Sequence, residues 1–431
     1  MGPMQVEIAA RRAAVLAAIH PGVMVLPARR ESACGGVGEP FRQDSDFLYL
    51  TGFEEPDAVL VLRSDADAPF ALFVRPRDPE RERWSGPRAG PDGVRERHGA
   101  DWAGTLSELD AELPRLLENT PRLFYRLGRD RRFDDRILDA LDRVRARARQ
   151  GVFAPGSIED PAQVLGPMRA VKSPAELERM GRAAAITCAA HVQAMRRARA
   201  GGGEQDLDAL LLAEFRAGGA RPAYPPIVAA GANATVLHYE RNDGRLVDGE
   251  LVLIDAGCEY DHYAADVTRT FPVSGRFTAP QADVYRIVLA AQAAAVRAVR
   301  PGVTLETVHQ AAVEVLTEGL VDLGLVEGPA AAAVREERYR PFYMHRTSHF
   351  LGLDVHDAGI YCDASGPRRL ERGMVITVEP GLYFPPETAP EPFRGIGVRI
   401  EDDVLVTSDG AEVLTSAAPS SVESIEAACT R

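Results

Sequence analysis

The chain has 431 residues, 45% of them apolar, which is too long for one ordinary hydrophobic core and enough for two globular domains. Its formal net charge of −13 opposes nucleic-acid phosphates and anionic membrane surfaces, so a neutral or cationic small substrate fits better. Cys34, Cys188, Cys258, Cys362 and Cys429 are scattered and never form a C-x-x-C pair, which argues against a disulfide scaffold or zinc finger and suits the reducing cytoplasm.

Arg11-Arg12 followed by Ala13 to Ile19 is too short and Ala-rich for a twin-arginine signal, and reads as a helix before a turn at His20-Pro21-Gly22. No run of 18 apolar residues occurs, so no membrane-spanning helix is expected. From Val23 to about Phe153, short strands (Val23 to Leu26, Ala58 to Arg63, Phe70 to Val74) mix with helical stretches at Leu106 to Glu118 and Asp134 to Arg147. This predicts an α/β domain over residues 1–166. Its middle, Arg75 to His98, mixes Arg, Asp, Glu, Pro and Gly and reads as a solvated loop.

After a composition break at Pro155-Gly156 to Pro167, Ser173-Pro174-Ala175-Glu176 offers an N-cap, a Pro at N1 and a Glu at N3. A helix to Ala200, the stop Gly201-Gly202-Gly203 and a second helix over Asp206 to Ala217 follow. The unit recurs: a capping box at Thr278 to Gln281, a stop at Pro301-Gly302 and a helix over Leu305 to Leu323. Strands follow each unit, within Val252 to Val273 and Val375 to Thr407, so residues 167–431 read as an α+β domain with pseudo-symmetric halves.

The apolar run Leu251 to Ile254 ends in Asp255, and Ala264 to Phe271, carrying Asp266, reads as its return partner around a turn at Glu259 to His262. With the hairpin centred near Tyr260 and Asp261, Asp255 and Asp266 face each other, and a dication between them relieves their repulsion. Two more strands end alike, Met374 to Val378 in Glu379 and Ile396 to Ile400 in Glu401, with Arg399 on the face of Glu401. The segment His345 to Asp357 holds three of nine histidines, His345, His349 and His356, of which at least one should be a ligand; His238 is a weaker candidate. His20, His98, His191, His262 and His309 have no such context. Four carboxylates and an imidazole suit two Mn²⁺ ions better than thiolate-bound metals, with a water shared between ions about 3.5 to 4 Å apart.

These residues resemble those of the aminopeptidase P, prolidase and methionine aminopeptidase superfamily with the pita-bread fold, through Ile254 to Tyr260, Ser348 to Asp357 and Gly395 to Asp403. Arg42 to Phe53 is similar to the first domain of aminopeptidase P, so the resemblance covers nearly the whole chain. It implies a dinuclear aminopeptidase that hydrolyses the N-terminal Xaa-Pro bond with a metal-bridging hydroxide. It further implies that Asp255 chelates one ion, that Asp266 and Glu401 bridge both, and that His349 and Glu379 complete the set, with Mn²⁺ expected and Zn²⁺ or Co²⁺ as alternatives. Glu379 would move the proton. His238, His356 and Arg399 would line the proline side with His345 nearby, His356 would bond the tetrahedral intermediate, and Tyr224 would stand beside Asp255.

The implied partners are peptides with proline second and further copies of the chain, a dimer or tetramer in which Trp84 reaches a neighbour's site; nucleic acid and membrane are not expected. Arg346, where the family often has Gly, and Pro225-Pro226 depart from the pattern at the cleft rim and bear on substrate range. Three rival readings share much of this pattern. A prolidase, limited to Xaa-Pro dipeptides, has the same ligands; a metal-free binding protein on this fold, or a creatinase-like hydrolase, would be expected to lack some.

Overall fold

The computed structural model describes residues 3–31 and 41–430, leaving Cys34 outside. It divides into two compact units, residues 1–166 and 167–431. In the first, six strands form one mixed sheet in the order β4-β3-β2-β1-β5-β6. They are β1 (Val23–Pro27), β2 (Val59–Arg63), β3 (Phe70–Val74), β4 (Trp102–Thr105), β5 (Arg122–Phe124) and β6 (Ser157–Glu159). The pairs β1/β2 and β2/β3 are antiparallel, and β1/β5, β3/β4 and β5/β6 are parallel. Helices Leu109–Leu117 and Arg131–Arg145 repeat apolar residues every third or fourth position, and bury Leu109, Leu113, Ile137, Leu141 and Val144 against Val23, Val25, Val59 and Val61.

Arg11 and Arg12 sit in helix Pro3–Ala18, nearly buried, donating to the carbonyls of Tyr49 and Leu50. Residues 75–98 differ from the expected loop, because they contain helices Pro79–Ser85 and Gly90–His98. Asp78 accepts from the amides of Glu80 and Arg81 with Pro79 in the first turn, so capping starts a helix where no apolar stripe announces one.

In the second unit, the capping box of Ser173 and Glu176 starts helix Pro174–Arg197, and Glu204–Ala217 packs beside it. Helices Ala279–Ala298 and Leu305–Asp322 form a second such pair. The first pair precedes the sheet β12-β9-β8, from β8 (Ile227–Ala230), β9 (Leu251–Asp255) and β12 (Thr268–Pro272). Short strands β7 (Arg221–Pro222), β10 (Cys258–Tyr260) and β11 (Tyr263–Ala264) form another, β11-β10-β7. Beyond the second pair, the hairpin of β13 (Cys362–Asp363) and β14 (Gly366–Pro367) precedes the sheet β15-β18-β19 and the pair β16-β17. These are β15 (Val375–Val378), β16 (Gly381–Phe384), β17 (Ile396–Arg399), β18 (Asp402–Val406) and β19 (Ala411–Val413). A bridge between Thr268 and Glu401 joins the halves, and one core running from Ala170 to Ile425 fills both. Among the described residues no helix is long and apolar enough to cross a membrane.

Candidate metal centre

The β9–β12 hairpin brings the first two carboxylates together in a register different from that expected. Asp261 and His262, with φ of 49° and 70°, form the turn, so its centre lies between them. Asp255 therefore pairs with Thr268, and Asp266 stands diagonally from it. A Cβ on Gly257 would meet the Ala265 carbonyl oxygen at 1.8 Å, so only glycine lets the strands cross this closely beside Asp266. The carboxylates still converge, because the Tyr224 hydroxyl bonds both, reaching Asp255 Oδ1 at 2.7 Å and also Asp266 Oδ1.

Glu379 follows β15, and Glu401 lies two residues beyond Arg399 at the end of β17. One donor atom from each of Asp266, His349 and Glu401 falls within 4.8 Å of the others. His349 Nε2 lies 3.5 Å from Asp266 and 3.6 Å from Glu379. Its Nδ1 is 3.0 Å from the Phe350 carbonyl, which can only accept, so Nδ1 carries a hydrogen and Nε2, facing the carboxylates, is the nitrogen that would give up its proton to a cation. Asp255 and Glu379 flank this group.

The charges within the cluster explain its titration. Burial raises Asp266 and Glu401, and neighbouring carboxylates raise them further. Glu379 is pushed up to about 7, first by burial, with His349 and Arg399 opposing. Burial lowers His349, but Asp266 and Glu379 outweigh it and lift it to about 9. A buried set of oxygens around an imidazole nitrogen, all demanding positive charge, fits divalent cations.

All ten residues singled out in the sequence line one cavity of about 590 Å³: Tyr224, His238, Asp255, Asp266, His345, His349, His356, Glu379, Arg399 and Glu401. Arg346 and Pro225 line it too, Arg346 pairing with Glu306 at 2.6 Å. Trp84 belongs to the N-terminal unit, where it is 90% exposed. The His345 Nδ1–H donates to the Arg346 carbonyl, so Nε2 accepts from the Tyr383 hydroxyl at 2.9 Å; burial, then Arg399, lowers its pKa to about 3. Of the five histidines without context, His191 is fully buried against the Ala256 carbonyl, and His309 bonds Thr347.

Sequence reasoning missed three polar groups that orient this set. The Thr268 hydroxyl donates to Glu401 Oε2 at 2.6 Å and accepts from Arg399 Nε at 3.2 Å. The Thr377 hydroxyl accepts from the His349 amide at 3.1 Å. Tyr383 accepts from Arg399 Nη1 at 3.0 Å. Thr268 and Thr377 lie within a few residues of a carboxylate on a β-strand edge, which is the one local signal they carry.

Residues 178–408 match metallopeptidase family M24, and residues 8–125 match the aminopeptidase P N-terminal domain. The chain belongs to metallopeptidase family M24. Within it, the chain is 42% identical to the Xaa-Pro aminopeptidase of Escherichia coli, covering 98% of this chain and 97% of that protein. It is 40% identical to the Haemophilus influenzae Xaa-Pro aminopeptidase, over 97% and 96%. Its structure matches the aminopeptidase PepP of Pseudomonas aeruginosa with a TM-score of 0.95 and 46% identity, covering 99% and 98% of the two chains. A zinc-substituted aminopeptidase P from E. coli, in complex with product, matches at 0.94 and 42%, covering 99% and 98%. The two-unit architecture is therefore that of aminopeptidase P, its second unit a pita-bread domain, and the chain is a metallo-aminopeptidase.

Proposed function

We propose that this M24 enzyme removes the first residue from peptides whose second residue is proline, using two divalent cations held by Asp255, Asp266, His349, Glu379 and Glu401. The observation that carries this reading is the convergence of these five side chains in one cavity with His238, His356 and Arg399. Bound there, the cations would neutralise the carboxylates, polarise the scissile carbonyl and acidify a water. The oxygen-rich set favours Mn²⁺, with Zn²⁺ or Co²⁺ as substitutes.

The chain's own residues do the rest. Burial lowers His356 below its ordinary pKa, leaving a neutral ring with one N–H for the developing oxyanion. His238 lies in the same cavity to hold the proline side. Like any amide nitrogen, that of proline must gain a proton as it leaves, and Glu379, which lines the cavity, would transfer one from water. Arg399 fixes Asp255 and Tyr383. The compartment proposed is the cytoplasm, and the assembly a homo-oligomer with Trp84 at a subunit contact.

The test is metal analysis with turnover: protein stripped of metal, then titrated with Mn²⁺, should bind two ions per chain and regain cleavage of Xaa-Pro peptides. Saturation at one ion, with full activity, would sink the dinuclear reading.

A further inference from the structure

Asp357 directly follows His356, yet its side chain is 1% exposed and both its oxygens are bound by cations. Arg169 Nη2 donates to Oδ1 at 2.5 Å and Lys172 Nζ to Oδ2 at 2.9 Å. The same Arg169 nitrogen reaches Asp354 at 2.8 Å, and the Asp354 amide donates back to Asp357 Oδ1 at 3.3 Å. Lys172 also donates to the Ala170 carbonyl, and its amide to that of Gly373.

Residues 350–357 therefore fold around one carboxylate. The Asp357 amide donates to Phe350 and the Gly352 amide to Asp354, closing the loop on itself. A Cβ on Gly352 would meet Asp357 Oδ2 at 2.3 Å and Lys172 Cε at 2.8 Å, so the ion cluster occupies the space a side chain would need. One end of this loop carries His349 and the other His356, whose rings meet edge to face at 4.5 Å. Burying these charges is costly, and apolar packing of similar volume would commonly be as stable. What the ions add is direction: two donors on separate sides of Asp357 fix the peptide that aims His356.

We propose that Lys172, together with Arg169, is a positioning residue that holds His356 in its working orientation through Asp357. The inference rests on the role given to His356 above. It is tested in the full-length, Mn²⁺-loaded enzyme by the cycle of Lys172→Met, His356→Ala and the double variant. Lys172→Met leaves Arg169 on Asp357 and retains side-chain volume.

The single variant should lose kcat by about 10- to 100-fold, as small misplacements do, with KM within about twofold and metal content unchanged. The double variant should be no slower than His356→Ala alone, because the loss passes through that ring. Losses that multiply, a wild-type kcat in Lys172→Met, or loss of metal from it would each overturn the proposal. Full activity in His356→Ala would instead overturn the reading of His356 itself. If Lys172→Met does not fold, Arg169→Met, which leaves Lys172 on Asp357, carries the same cycle.

Discussion

Arg399 reaches from the end of β17 to Asp255 at the end of β9, its Nη2 donating to Oδ2 at 2.6 Å with 5% and 16% of the two side chains exposed. This pair ties the two halves of the domain across the carboxylates. In the metal-free chain the guanidinium offsets their mutual repulsion; bound dications would take over that role. Arg399→Met should therefore destabilise stripped protein by about 3 to 5 kcal/mol, the cost of leaving a buried charge without its partner. Saturating Mn²⁺ should recover much of that loss. Arg399→Lys should recover less than wild type, because an ammonium cannot reach Asp255, Tyr383 and Thr268 together. Thermal unfolding with chelator and with Mn²⁺ checks this, and an equal loss in both states would contradict it.

The raised pKa values of Glu379 and His349 make stability depend on pH in a defined direction. Glu379 goes from an ordinary 4.5 up to about 7, and His349 from 6.5 up to about 9, so the folded stripped chain holds protons that the unfolded chain releases. The resulting stabilisation is complete below about pH 4.5 for Glu379 and 6.5 for His349, and is lost as pH rises through about 7 and 9. Metal must displace those protons. Metal-stripped protein should lose Tm between pH 5 and 9 relative to loaded protein, and Mn²⁺ binding should release protons and tighten as pH rises. Parallel Tm profiles for the two forms would refute the linkage.

The parts of this arrangement that were readable in sequence are those that periodicity and chain termination control. Apolar runs closing in Asp255, Glu379 and Glu401 mark strands whose last side chain turns to a site, and Ser173 and Thr278 mark helix starts with a known hydrogen-bond pattern. Register was not readable. The hairpin pairs Asp255 with Thr268 instead of Asp266, because left-handed φ at both Asp261 and His262 moves the turn centre by one residue. Nor were contacts between distant segments readable. Thr268 and Glu401 are 133 positions apart, and Lys172 and Asp357 are 185 apart, so only the tertiary fold brings either pair together.

Thr268 gives the third prediction. Its hydroxyl is fully buried, donates to one carboxylate of the site and accepts from the guanidinium that orients another. Thr268→Val keeps the shape and removes both bonds. Loss of a partner that orients a metal-binding carboxylate typically costs 10- to 100-fold in metal affinity, and about that loss is expected here. Competition with a chelating dye measures it; unchanged Mn²⁺ affinity would mean that Glu401 is held by other groups.

The last prediction concerns how far the substrate extends past proline. A dipeptidase must neutralise the proline carboxylate, whereas an aminopeptidase must let the chain continue. Arg399 is poorly available for a terminal carboxylate, since Nε, Nη1 and Nη2 donate to Thr268, Tyr383 and Asp255. His345 is neutral, its pKa lowered to about 3 by burial and by Arg399, and Arg346 at the cavity is paired with Glu306. With Mn²⁺, the tripeptide Ala-Pro-Ala should therefore be cut to Ala and Pro-Ala at least as efficiently as Ala-Pro is cut, and a longer Xaa-Pro peptide should lose only its first residue. Mass spectrometry of the products under one set of conditions decides it. Cleavage of Ala-Pro alone would assign the chain to the dipeptidase side and leave its metal chemistry unchanged.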